Sequence, residues 1–288
     1  MVSGAEIPAR LGHSRGAVVM HRLLVPASSS RDCSVVAVWI AEAIGRGEKV
    51  LYKHAPGEDA VTSLARSLPI AGVDPGVLTT GQVQLADTTE LQIETGGLHQ
   101  ALYALHEHQR DQASREGFAG LAMTGDAAAM HSITRDEGEL ARYERALERL
   151  ATVAGVHSLC RYALKEHPGL LDDMLAVHYR EVADDVWSAE VVHQRLRIIG
   201  ELDFSNAGRL TPVMHAALGA GIRMMDVSEL VFCDVAGARA IVAAAGTLSP
   251  GTTPLTLTGV DGLLGTVLGL MDGLDSAVLH VSEREADT

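Results

Sequence analysis

The chain has 288 residues, 47% of them hydrophobic and 21% charged, which fits one large or two ordinary globular domains and excludes a disordered or fibrous protein. Lys+Arg 23 against Asp+Glu 37 gives a formal charge of -14, which repels a phosphate backbone; with aromatics at only 3% there is also little to stack on bases, so nucleic-acid binding is not expected. The cysteines Cys33, Cys160 and Cys233 are isolated, with no C-x-x-C pair, as in a reducing cytosol. No secretory-type N-terminus and no run of about 18 apolar residues is present, so the expectation is a soluble cytoplasmic protein without a membrane partner.

In chain order, residues 1–12 read as a loose tail. Residues 17–20 (AVVM) have the character of a first strand and 35–44 of a helix, and Gly45-Arg46-Gly47 stops that helix before a second strand at 49–52 (KVLY). Leu98, Leu102 and Leu105 define one face of a helix, and 120–123 (GLAM) a buried strand. The clearest helix starts at Glu137: Leu140, Tyr143, Leu147 and Leu150 share a face, and Thr134-x-x-Glu137 has the form of a capping box. A strand at 158–163 and a helix at 169–179 follow. Strands alternating with helices predict an α/β fold around a largely parallel sheet, with helices on both faces.

Residues 180–190 are polar and acidic, which places a linker at 181–192 between domains at 13–180 and 193–288. Beyond it, 196–199 (LRII) alternates like a strand, and Leu210, Val213, Met214, Ala217 and Leu218 give a helix face. A buried strand is expected at 224–232, a helix at 235–248, a strand at 255–258, a helix at 261–271 and a closing strand at 277–279. Together these make one compact α/β unit.

The turn after the first strand, residues 24–32 (LVPASSSRD), lacks the Gly-Lys-Ser/Thr of a P-loop, so ATP hydrolysis is not expected. Ser28, Ser29 and Ser30 fit a polar turn with a helix cap, and would also suit a small anion at a helix N-terminus. Asp126 ends a buried strand, where such folds place a functional carboxylate; the plainer reading is a cap for the next helix. Among 13 histidines, His99 and His106 share a helical face but lie about 10 Å apart along the axis at ~1.5 Å per residue, and His108 points away, so no metal site is expected of them. Asp172-Asp173 and Asp184-Asp185 read as solvated faces. No G-x-S-x-G nucleophile elbow occurs, and neither an enzyme nor a cofactor is expected.

Two stretches resemble known families. The run from Met225 to Gly237 (MDVSELVFCDVAG), with Gly200-Glu201-Leu202-Asp203 upstream, resembles the signature of STAS domains, the fold of anti-sigma-factor antagonists. That resemblance implies a docking face for a kinase-fold anti-sigma factor, made of Asp203, Phe204, Ser205, Asp234, Val235, Ala236, Gly237 and Arg239. Phospho-switched members carry a serine after the aspartate, where this chain has Val235. Ser228, expected in a buried strand, and Ser205, expected as a helix cap, do not fit that role. Independently of the family, Asp234 suits the N-cap of the following helix, and Gly237 allows a neighbouring backbone to come close.

The N-terminal half carries Gly12-His13, the run from Gly45 to Tyr52, Tyr143-Glu144, Cys160-Arg161-Tyr162 and His167-Pro168. This pattern is similar to the MEDS domain, a sensory module related to RecA/KaiC-type ATPase cores. The resemblance implies a degenerate RecA-like sensor, with His13 either contacting ligand or making a structural hydrogen bond. The combined expectation is a non-enzymatic regulator whose sensor, open to a small-molecule ligand, controls docking by the STAS domain, with homodimerisation left open. The alternative is a small-ligand or nucleotide sensor that uses the STAS domain for dimerisation or scaffolding.

Overall fold

Apolar residues at period two form strands, and apolar stripes at the helical period cover them. The computed structural model describes residues 21–25, 29–126, 130, 134, 136–162, 170–249, 251–260, 262–271 and 277–282. Among these, the strands are β1 (His21–Val25), β2 (Lys49–His54), β3 (Val83–Asp87), β4 (Leu121–Asp126), β5 (His157–Arg161), β6 (Glu181–Asp184), β7 (Trp187–Val192), β8 (Arg195–Leu202), β9 (Met224–Cys233), β10 (Leu255–Thr258) and β11 (Leu279–Val281). The helices are α1 (Ser29–Gly45), α2 (Ala60–Ser67), α3 (Thr88–Thr95), α4 (His99–Arg115), α5 (Glu137–Ala154), α6 (Leu171–Val177), α7 (Ala207–Gly219), α8 (Val235–Ala245) and α9 (Gly262–Leu270).

All strands belong to one sheet, in the order β11-β10-β9-β8-β7-β6-β1-β5-β4-β2-β3. Neighbours are parallel except at β6–β7 and β7–β8. In the N-terminal half, Leu23, Leu51, Met123 and Cys160 face the layer that holds α4, α5 and α6, while Leu24, Val50, Tyr52, Ala122 and Leu159 pack against α1 and α2. The expected helix face of Leu140, Tyr143, Leu147 and Leu150 is buried in the first layer.

Several expectations need correction. The stretch 17–20 lies outside the described residues, and the first strand observed is β1, starting at His21. The cap of α5 is Asp136, which accepts from the Glu139 amide, not Thr134. The strand expected to be buried at 224–232 is only half so: Ser228, Glu229, Val231 and Phe232 are exposed. Strand β10 pairs with β9 only over Met224, Met225 and Asp226, so among the described residues no strand covers the rest of β9 on that edge.

The largest correction concerns 181–192, which forms the hairpin β6–β7 inside the sheet instead of an irregular linker. Its acids misled because three of them have cationic partners: Arg22 Nε lies 3.0 Å from Glu181 Oε2, Arg197 Nη1 3.0 Å from Glu190 Oε1, and Arg209 pairs with Asp184. Asp184, read as solvated, has its side chain only 3% exposed and accepts from the Val186 and Trp187 amides, closing the turn. Where β7 meets β8, Gly200 adopts φ +96, and a Cβ there would run into the Val186 carbonyl oxygen, so only glycine fits.

Burial, followed by the like charge of Glu190 directly opposite it, raises the Glu181 pKa to about 7 despite Arg22. An acid whose folded pKa exceeds its unfolded value costs nothing below the unfolded pKa and its full penalty above the folded one. Stability should therefore fall as pH rises from about 4.5 to 7, by up to ~3 kcal/mol from this group. Glu181→Gln should flatten the dependence and raise the melting temperature at pH 8; an unchanged pH profile would refute the assignment.

Candidate functional site

The buried layer between the sheet and α5–α6 contains a cluster of polar side chains where apolar ones would be expected. Parallel pairing of β1 with β5 sets His21 opposite Ser158 and Leu23 opposite Cys160, so His21 and Cys160 project from adjacent strands onto the same face. Helix α5 places Glu144 above them and Glu148 one turn on, and His178, just after α6, closes the group. His21, Glu144, Cys160 and His178 are all buried, and their donor atoms lie within 4.8 Å of one another.

Glu144 Oε2 is the hub. It lies 3.3 Å from His21 Nε2, 3.2 Å from Cys160 Sγ and 3.6 Å from His178 Nε2. Cys160 Sγ is 3.5 Å from His21 Nε2, and the two imidazole rings pack with centroids 4.1 Å apart. The outer nitrogens are tied elsewhere: His21 Nδ1 to Glu148 Oε2 at 3.1 Å, and His178 Nδ1 to the Met174 carbonyl at 2.8 Å. His178 Nε2 makes no hydrogen bond among the described residues.

Burial sets the protonation states. It would raise Glu144, but the hydrogen bond from His21 and the nearby His178 ring outweigh it and bring the carboxyl down to about 2. Burial, then the Glu144 charge, pushes the Cys160 thiol up to about 11. Burial followed by the His21 charge takes His178 down to about 3. For His21, burial works downward but is outweighed by Cys160, Glu144 and Glu148, which hold it well above its ordinary value. The group is thus a carboxylate ringed by imidazole and thiol donors, a set able to bind a metal ion or to hold a proton network.

A second polar chain adjoins it on α5. Lys53 Nζ donates to Tyr143 Oη at 2.8 Å, Tyr143 Oη lies 2.7 Å from His106 Nε2, and His106 Nδ1 lies 2.8 Å from Gln109 Oε1. Burial, then the Lys53 charge, lowers His106 to about 3, so its neutral ring accepts from Tyr143 and donates to Gln109.

The sequence model of the MEDS family, the methanogen/methylotroph, DcmR sensory domain, matches residues 20–179, more than half of the chain. The chain belongs to the MEDS family. Its role therefore lies in sensing and signalling. The matched stretch encloses the whole buried cluster, with His21 near its start and His178 near its end. No curated protein matches the chain.

The MEDS motif residues Glu144 and Cys160 belong to the cluster, whereas His13 and Ser28 lie outside the described residues. Ser29 and Ser30 open α1, and Asp126 ends β4 in register with Arg161, away from the cluster. His99 bonds Glu139 at 2.7 Å, and His106 is buried on Tyr143, so neither contributes a donor. The residues missed were His21 and His178. The available signal was one histidine at a strand head and another closing a helix, both at buried positions.

In the C-terminal half, Asp234 Oδ1 caps α8 by accepting from the Ala236 and Gly237 amides at 2.7 and 3.0 Å. Its Oδ2 accepts from the Phe204 amide at 3.0 Å, so the loops after β8 and β9 do lie side by side. Asp203 accepts from both the amide and the hydroxyl of Ser205, and the N-cap of α7 is Asn206, which corrects the expected cap role of Ser205. A Cβ on Gly237 would come within 2.8 Å of Cys233 Sγ and 3.1 Å of the Leu202 carbonyl oxygen, so the expected close approach of a neighbouring backbone is met. Phe204 (84% exposed), Val231 (74%) and Val235 (47%) leave apolar surface on this edge, with Arg239 exposed beside it.

Tyr143→Phe removes the hydroxyl that serves both Lys53 and His106 and leaves two buried polar groups without it. The variant should lose about 1–3 kcal/mol in urea unfolding. Wild-type stability would show that the network carries no weight.

Proposed function

We propose that this chain is a non-enzymatic signalling regulator in which the MEDS half senses a small ligand and the C-terminal half, STAS-like, docks a protein partner. On this reading it acts as an anti-sigma-factor antagonist or a related partner-switching adaptor, and the partner is a kinase-fold anti-sigma factor. The observation that carries the reading is the edge held by Asp234. One carboxylate pins the two loops together and leaves Phe204, Val231 and Val235 facing solvent, while Asp203 and Arg239 supply charge. Aromatic and aliphatic anchors rimmed by charge are what a protein interface uses.

The shared sheet supports coupling between the halves. The hairpin β6–β7 joins them directly, Asp184 in its turn pairs with Arg209 on α7, and α6 packs against α7. A change around His178, at the end of α6, thus has a contiguous physical route to the loop that precedes α7. With Val235 in the serine position, the regulatory input comes from the sensor and not from phosphate. Within the described residues no helix is long and apolar enough to cross a membrane.

Calorimetry of the full chain with purified kinase-fold anti-sigma factors tests this reading. Binding is expected, weakened about tenfold or more by Phe204→Ala or Val235→Glu, both exposed enough to leave the fold intact. Incubation with the same partners and ATP should leave the chain unphosphorylated. Binding insensitive to both substitutions, or phosphate on the C-terminal half, would overturn the proposal.

A further inference from the structure

We infer that the MEDS half holds one divalent transition-metal ion of the zinc class, bound by His21 Nε2, Glu144 Oε2, Cys160 Sγ and His178 Nε2 between the sheet and α5–α6. The inference goes beyond the sensing and docking reading and does not rest on it.

Geometry comes first. A tetrahedral ion with nitrogen and oxygen ligands at ~2.0–2.2 Å and sulfur at ~2.3 Å requires ligand atoms roughly 3.3–3.7 Å apart. The separations among these donors are 3.3 Å (His21 to Glu144), 3.2 Å (Cys160 to Glu144), 3.5 Å (Cys160 to His21) and 3.6 Å (His178 to Glu144). These are four of the six edges of such a tetrahedron; the remaining two, from His178 to His21 and to Cys160, lie within 4.8 Å.

The orientation of the rings is the second argument. Each histidine has its Nδ1 occupied, His21 by the Glu148 carboxylate and His178 by the Met174 carbonyl, so both Nε2 atoms point at the same small volume. A carboxylate or carbonyl on the far nitrogen is the outer support that metal-ligating histidines usually have. His178 Nε2 meanwhile makes no hydrogen bond among the described residues although it is fully buried, a costly arrangement for a nitrogen with no ligand to bind.

Charge and softness narrow the ion. Glu144 carboxylate and Cys160 thiolate supply two negative charges, which neutralise a divalent cation in a buried site. Binding displaces two protons, the thiol proton of Cys160 and the one that His21 Nε2 directs at Glu144. A donor set of two imidazoles, a thiolate and one carboxylate oxygen is poor for Ca2+ and Mg2+, which take oxygen, and suits Zn2+ and its first-row neighbours. With four protein ligands the coordination shell is closed, as in structural zinc sites, and offers no open position for catalysis. Such an ion would tie β1 to β5, α5 and the end of α6, clamping the first and last elements of the matched MEDS stretch.

The test uses the full chain, purified without chelator from medium supplemented with zinc, iron and cobalt. Elemental analysis should find a stoichiometric metal. Chelator-treated protein titrated with Co2+ should develop a near-ultraviolet thiolate-to-cobalt charge-transfer band, and Zn2+ should raise its melting temperature. Cys160→Ser should abolish the band and His178→Gln should weaken binding about 100-fold or more, whereas Cys233→Ala, in the other half, should change neither. Should Cys160→Ser prove unfolded by circular dichroism, Glu148→Ala decides: it removes the acceptor on His21 Nδ1 and should cost about 10–100-fold in affinity while keeping the band. Folded wild-type protein with only trace metal and no response to Zn2+, Co2+ or Fe2+ would overturn the inference, as would a cobalt band that survives Cys160→Ser. Failure of partner binding has no bearing on any of these readouts.

Discussion

A carboxylate, a thiol and two imidazoles occupy a layer that is mostly leucine, methionine and other apolar side chains, and the N-terminal half is arranged around that fact. An ionised carboxylate taken out of water costs several kcal/mol even after relaxation, unless donors surround it. Glu144 meets the condition only because β1 and β5 pair in parallel, α5 crosses above them, and the chain turns after α6 to bring His178 back. Moving any of these elements would strand a buried charge. The site and the fold are therefore one constraint.

The same logic governs the seam between the halves. Glu181, Asp184 and Glu190 enter the sheet because Arg22, Arg209 and Arg197 meet them, and the partners come from three different elements. Burial still leaves the acids with raised pKa values, so the seam is electrostatically matched without being relaxed. A hairpin of this kind joins two parallel-stranded halves into one sheet.

At the far edge, a single side chain organises two loops. Asp234 satisfies amides of α8 and of Phe204 together, which frees the apolar residues of both loops to face outward. Val235, which has no hydroxyl to carry a phosphate, is among the residues left facing outward. Sensor and edge meet through packed helices and paired strands.

Much of the alternation of strands and helices (though not α2, β3, α3 or the β6–β7 hairpin), the α5 stripe of Leu140, Tyr143, Leu147 and Leu150, the cap at Asp234 and the tight packing at Gly237 were legible in the sequence, because each depends on residues within a few turns of one another. So was the MEDS pattern, including Glu144 and Cys160. Three things were not. His21 and Cys160 are 139 residues apart, and only strand pairing makes them neighbours. The acids of 181–192 looked solvated because their arginines lie on other elements. Ser228 looked buried because nothing local shows where β10 stops covering β9. Sequence determines what a segment can become; which polar groups meet in the interior is decided by the tertiary fold, since the free energy of a buried charge depends on partners brought in from distant parts of the chain.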